Sequence, residues 1–266
     1  MRRLILVNPV RVRGRDFWGR DAEVVLEPAD RPGWFWRVGG EDVPVSPSVV
    51  HAERRCLALS HRGERLHVFE HLGALRAIGL DSVRIVAMTS WLPYDGRALS
   101  YWNALLPSMQ EEGRLRPMAG TLHESVTRND GIPRRLDVKL GATDSLKITV
   151  RVSYPNWGER TMTRSFPENG GWDDILAARP LARPPWMRSA ARCAALLGWP
   201  HYGNVLWPQE AEPEALLEEL AHHRILDLLG AIGTLPEPGE YLTGEINTDL
   251  ADHAADVALL RRLEAR

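Results

Sequence analysis

The sequence predicts an α+β protein built from two similar halves, and three observations carry that prediction. Short β-like runs separated by turn residues fill the first third of the chain. An amphipathic helical stretch, a strand and a second helix follow them. After about residue 115 the same order, strands and then helices, begins again. The repetition is one of element order, because no residue-level identity links the halves.

In the first half, Ala22-Glu-Val-Val-Leu26 reads as a strand closed by Pro28 and the Arg31-Pro-Gly33 turn. A helix is predicted from Leu66 to Ile78, with Val68, His71, Leu72 and Leu75 on one face and Gly79 as its stop. The strand Ser82 to Met88 leads into a Pro93-Tyr-Asp-Gly96 turn and a helix through Met109. Strand chemistry resumes beyond Gly113, which sets expected domains of 1–115 and 116–266. In the second half, strands are expected at Arg135 to Leu140, Ser145 to Val152 and Arg160 to Phe166, and helices at Arg188 to Leu197, at Pro213 to Leu229 and at the terminus. The segment Arg179-Pro-Leu-Ala-Arg-Pro-Pro185 is too proline-rich for a helix interior and reads as a loop or insert.

Composition narrows the function classes. The chain has 266 residues, 44% of them hydrophobic, enough for a real core without staples. Its 33 basic and 35 acidic residues are well mixed and give a net charge of −2, so no polybasic face addresses nucleic acid. The start Met-Arg-Arg-Leu-Ile-Leu-Val-Asn-Pro has four consecutive apolar residues, too few for a signal peptide, and no segment reads as a membrane span. Cys56 and Cys193 form no Cys-x-x-Cys pair, which points to buried thiols in a reducing cytoplasm. A cytoplasmic protein that is not an integral membrane protein is therefore expected. Of the ten tryptophans, Trp186 and Trp199 are candidates to line an apolar pocket.

The chemistry-bearing residues lie on helices. His223 and Asp227, four apart, share a stripe with Leu216 and Leu220, so an imidazole and a carboxylate point the same way from an apolar face. A buried carboxylate needs compensation, and a divalent cation supplies it. Two further helices place a histidine on an apolar stripe: His71 beside Val68 and Leu75, and His253 beside Leu250, Val257 and Leu260. Glu70 precedes His71, and a carboxylate next to a metal ligand can serve a hydrolase as base. The plain alternative is three packing histidines in a helical core. His51, His61, His67, His123 and His201 have no comparable setting.

These residues carry a resemblance. Val68-Phe-Glu-His-Leu-Gly-Ala-Leu-Arg-Ala-Ile-Gly-Leu-Asp81 is similar to the Glu-His-Leu helix of the UDP-3-O-acyl-N-acetylglucosamine deacetylases of lipid A synthesis, the LpxC family. Gly19 through Ala29 resembles the family's first strand pair, Leu92-Pro-Tyr-Asp-Gly96 its Pro-x-x-Asp-Gly turn, and Ala177-Ala-Arg179 part of its Ala-Arg-Thr-Phe segment. His223-Arg-Ile-Leu-Asp-Leu-Leu-Gly230 resembles the family's His-Lys-Ile-Leu-Asp-x-x-Gly-Asp motif, and Asp252-His253-Ala-Ala-Asp256 its Gly-His-x-x-Asn motif.

The resemblance implies a β-α-α-β sandwich of two α+β domains with a catalytic metal near their junction. The implied ligands are His71, His223 and Asp227, and the implied metal is zinc, with ferrous iron as the alternative occupant. His222 is one residue out of register with Asp227 and is not chosen. Glu70 is implied as general base, His253 as general acid, and Arg224 as a charge that helps neutralise the oxyanion. The implied activity is N-deacetylation of an amino sugar, acylated or not, in a nucleotide-sugar or glycolipid. The segment Leu181 to Trp199 matches the family's acyl-chain insert in position.

Four departures accompany the matches. Pro180 replaces the threonine of Ala-Arg-Thr, Arg224 the lysine after the zinc histidine, Ala231 the aspartate after the helix glycine, and Phe17 the histidine of a Leu-His-Ser-Gly turn. Ala231 removes a carboxylate that would orient His253, and Asp249, Asp252 and Asp256 are the candidates to replace it. Pro180 and Ala231 motivate a second expectation, a catalytically quiet, metal-holding protein that binds a sugar or acyl ligand.

Overall fold

A computed structural model of the chain describes residues 1–53, 56–118, 121–129, 131–141, 143, 145–154, 157–166, 172–181, 193, 196, 204–207 and 212–265. The first half contains β1 (Arg2–Leu6), β2 (Val10–Arg15), β3 (Asp21–Pro28), β4 (Trp34–Val38), β5 (Glu41–Pro44), β6 (Val50–Ala52), β7 (Leu57–His61), β8 (Glu64–His67), α1 (Glu70–Ala77), β9 (Leu80–Asp81), β10 (Val83–Ala87), α2 (Leu99–Leu105) and β11 (Met109–Arg114). The second contains β12 (Arg116–Pro117), β13 (Leu122–Asn129), β14 (Pro133–Leu140), β15 (Leu146–Tyr154), β16 (Gly158–Phe166), α3 (Trp172–Ala177), α4 (Pro213–Ile232), β17 (Glu240–Tyr241), β18 (Gly244–Asp249) and α5 (His253–Glu264).

The repetition expected from element order extends to sheet topology. The main sheet of the first half has the order β2-β3-β10-β4-β5, and that of the second β13-β14-β18-β15-β16. Each is a pair of antiparallel hairpins joined by a strand that arrives later, after a helix. That central strand runs antiparallel to one hairpin and parallel to the other in both halves. Ile85 faces Leu26 and Trp36 across the first sheet, and Ile246 faces Val138 and Ile148 across the second; both isoleucines are fully buried. Alternation along these strands presents one apolar face of each sheet to the helices. Among the described residues, every named ladder joins strands within 2–114 or within 116–249.

The helices fill the space between the two sheets. One continuous core runs from Val24, Leu26 and Ile85, through Leu72 and Leu75 of α1 and Leu226 and Leu229 of α4, to Ile148, Val150 and Ile246. This is the expected α+β sandwich. α4 is apolar nearly all round from Ile225 to Ile232, as a helix enclosed on every side must be. No helix among the described residues is long and apolar enough to cross a membrane.

The structure corrects several boundaries. The helix expected from Leu66 begins at Glu70, because Glu64–His67 pairs with β7 in a hairpin and Val68 turns the chain with a φ of +68°. Gly79, at φ +111°, ends that region as expected. The helix expected through Met109 stops at Leu105, since Pro107 permits only a 3-10 turn and Met109 enters β11. α4 runs past Gly230 to Ile232. The central strand β18 was not read from the sequence, where Gly244-Glu-Ile-Asn-Thr-Asp249 carries little β signal. Most of the helix expected at Arg188 to Leu197 and most of the Leu181 to Trp199 insert, with Trp186 and Trp199, lie outside the described residues.

Candidate metal centre

α1 and α4 cross at glycine. A Cβ on Gly73 would sit 2.2 Å from the Gly230 carbonyl oxygen, and one on Gly230 would sit 2.5 Å from the Glu70 Cα. Only residues without a side chain permit this approach, and it sets the first turn of α1 against the α4 turn that carries Asp227. Glu70 and His71 occupy that first turn and are 4% and 1% exposed. The Leu57 backbone N–H, at the start of β7, donates to Glu70 Oε2 at 2.8 Å and fixes the carboxylate.

On α4, His223 Nε2 lies 3.4 Å from Asp227 Oδ1. His223 Nδ1 is 3.0 Å from the Ala178 carbonyl oxygen, which can only accept, so Nδ1 carries a proton. In the neutral ring Nε2 then presents its lone pair towards a carboxylate oxygen, an arrangement that a cation between them stabilises. The loop that supplies Ala178 is itself held one helical turn earlier, where Glu219 accepts from the Arg179 backbone N–H at 3.0 Å and from its Nε at 2.9 Å. His253 opens α5, whose N-cap Asp252 accepts from Ala255 N–H at 3.0 Å, and His253 Nε2 lies 3.9 Å from Asp227 Oδ2.

Glu70, Asp227 and His253 thus converge from three helices, with one ligand atom of each within 4.8 Å of the others. His223 joins through Asp227, and His71 lies within electrostatic reach of His223, Asp227 and His253. The most compact triad therefore includes the two residues expected as base and acid. His71 stacks against Tyr94, ring centroids 6.1 Å apart. Burial, reinforced by His223, lowers the His71 pKa to about 3, so its ring is neutral. Burial and the nearby Asp227 carboxylate raise Glu70 well above the ordinary range. Burial also opposes ionisation of Asp227, but His223, His253 and Arg224 outweigh it and hold that carboxyl below its usual value.

The residues present fit a divalent cation. Glu70, Asp227 and His253 cluster with His223 and His71 nearby, and among the described residues His71 Nδ1, Asp227 Oδ1 and His253 Nδ1 are buried without a hydrogen-bond partner. Histidine and carboxylate donors suit zinc or ferrous iron.

A family model for LpxC, UDP-3-O-acyl N-acetylglycosamine deacetylase, matches residues 5–265. The chain belongs to the LpxC family. A comparison with curated individual proteins returns no match. Membership places the chain among deacetylases, in a family that works on small-molecule substrates with a metal.

Around this LpxC-family site the remaining expected residues fall as follows. Arg224 donates through both terminal nitrogens to Asp256, at 2.7 Å from Nη1 to Oδ2. His222 meets Arg164 instead, its Nε2 2.9 Å from Nη2. Of the three carboxylates considered as orienters of His253, Asp249 binds Arg151, Asp252 binds Arg128 and Arg134, and Asp256 binds Arg224. The Pro180 carbonyl accepts from Leu206 N–H at 2.8 Å. Phe17 packs among Trp18, Trp91 and Tyr94. The sequence reading missed the Leu57 N–H, the Ala178 carbonyl and Glu219. Only Glu219 left a signal, its spacing of four residues before His223 on a helix.

Proposed function

We propose that this LpxC-family chain is a zinc-dependent N-deacetylase acting on an N-acylated amino sugar carried by a nucleotide or glycolipid. The observation that supports it best is the convergence of Glu70, Asp227 and His253 beside His71 and His223. A binding protein has no need of an acid and a base on either side of a ligand cluster. Residues 1–115 supply Glu70 and His71, and residues 116–266 supply His223, Asp227 and His253, so the site belongs to the junction of two domains.

His71, His223 and Asp227 would hold the metal, which supplies Lewis-acid polarisation of the amide carbonyl and a water of lowered pKa. Glu70 Oε2 is engaged by the Leu57 N–H, which leaves Oε1 to take the proton of the attacking water. His253, protonated at Nε2, delivers a proton to the departing amine, a poor leaving group without it. Arg224, with its fork committed to Asp256, places positive charge beside Asp227 and the developing oxyanion.

The experiment is zinc analysis of the purified chain together with amine release from N-acetylated amino sugars, free, UDP-linked and 3-O-acylated. Release that stops on chelation and falls roughly 10²- to 10⁴-fold in Glu70→Gln, with zinc retained, supports the proposal. Pro180, which offers no donor to an oxyanion, and Ala231 favour a second reading, a quiet binder of a sugar or acyl ligand. Stoichiometric zinc with no release from any substrate would establish that reading instead.

A further inference from the structure

Arg224, one of the departures, touches Asp256, which stands at the last position of the Gly-His-x-x-Asn motif. The family has lysine where this chain has Arg224 and asparagine where it has Asp256. Here the two residues form a two-pronged ion pair in which Asp256 is fully buried and Arg224 is 7% exposed. Arg224 adjoins His223 on α4, and Asp256 lies one turn beyond His253 on α5. The pair therefore links the helix of the metal-ligand candidates to the helix of the general acid. None of Asp249, Asp252 and Asp256 turns to His253, whose Nδ1 is buried and unpartnered among the described residues. What locates that ring is the seating of its helix.

We infer that Arg224 and Asp256 are a positioning pair that sets the His253 ring against Asp227, in place of the orienting carboxylate that Ala231 removes. The inference rests on the deacetylase reading for its catalytic consequence, and its geometric content stands apart from it. A guanidinium fork against a carboxylate fixes two distances and a plane, which a lysine or an asparagine does not. Both residues are enclosed, so removing one leaves an uncompensated charge and lets the helices slide. A displacement of about 1 Å at a proton donor costs on the order of a hundredfold in rate.

The test compares the full chain with Arg224→Lys, Asp256→Asn and the double variant, which restores the residue types of the family motif. The expected result is that each single variant keeps its zinc and a KM within about threefold of the parent, while kcat falls on the order of a hundredfold. The double variant falls no further than the worse single one, because either change alone already removes the two-pronged contact. A folded, zinc-loaded Asp256→Asn protein with the parent's kcat overturns the inference. Should Asp256→Asn fail to fold, Asp256→Glu, which keeps the charge and shifts the carboxylate by one methylene, replaces it under the same criteria.

Imidazole ¹⁵N spectra of the metal-free proteins give a second readout that does not need turnover. Displaced His253 ring signals in each single variant, with no larger displacement in the double, support the positioning role; His253 signals unmoved in the single variants overturn it. A parent protein inactive on every substrate overturns the deacetylase reading, and the spectra still decide this one.

Discussion

Glu70→Gln should make the metal-free protein more stable, although it removes the proposed base. Glu70 and Asp227 present oxygens within 4.8 Å of each other in an enclosed site. At an effective dielectric of 20, two full charges at that distance repel by about 3.5 kcal/mol. The alternative, keeping the Glu70 proton at pH 7 against an unfolded value of 4.5, costs about 3.4 kcal/mol. Both routes bound the penalty near 3 kcal/mol, and the cationic neighbour Arg224 reduces it. Glutamine keeps an oxygen for the Leu57 N–H and turns an amide towards Asp227 instead of a like charge.

The sign in pH follows from the direction of the shift. The folded state holds the Glu70 proton to higher pH than the unfolded state does, so this group's contribution is fully present below pH 4.5 and lost as pH rises towards the folded value. The gain from Glu70→Gln therefore appears at pH 7 and vanishes near pH 4. Urea unfolding in the presence of a chelator, at both pH values, measures it. A glutamine variant no more stable than the parent at pH 7, or one with the same gain at pH 4, refutes the reasoning.

Three further outcomes are expected. Gly230→Ala places a methyl 2.5 Å from the Glu70 Cα and must push α1 off α4, so thermal unfolding should show a loss of about 1–3 kcal/mol or more and bound metal should fall; a variant with the parent's metal content and stability would show that the close crossing is not needed. The metal-free protein should lose stability below pH 6.5, because the unfolded chain protonates His71 and the folded one refuses that proton until about pH 3. That linkage amounts to about 2 kcal/mol at pH 5, and urea titrations should show this part of the slope missing in His71→Gln. Arg76→Met leaves the Val45 and Pro236 carbonyls, one from each half, without their donor; a drop of about 2 kcal/mol in urea unfolding is expected, and none would show that water replaces it.

The sequence carried those parts of the site that local spacing encodes. His223 and Asp227 share a helix face at a separation of four, and the structure places them 3.4 Å apart. Glu70-His71 announces itself as an adjacent pair on an apolar helix. The strand Gly244–Asp249 stayed unread because its hydrogen bonds run to residues about 100 positions away, and burial between two hairpins overrides its weak propensity. The start of α1 was misplaced for a related reason: apolar spacing across Leu66 and Val68 looks helical until pairing with β7 is taken into account.

The amino-acid order by itself determined the α+β class, the doubled order of elements, and the histidines and carboxylates able to serve a metal, because each depends on contacts within a few turns of chain. Tertiary structure alone decided which of them meet. Glycines at 73 and 230 let two helices touch, Glu70 and His253 came to share Asp227, and Arg224 turned to Asp256. Long-range packing and the exclusion of water set these partnerships, and no local pattern records them.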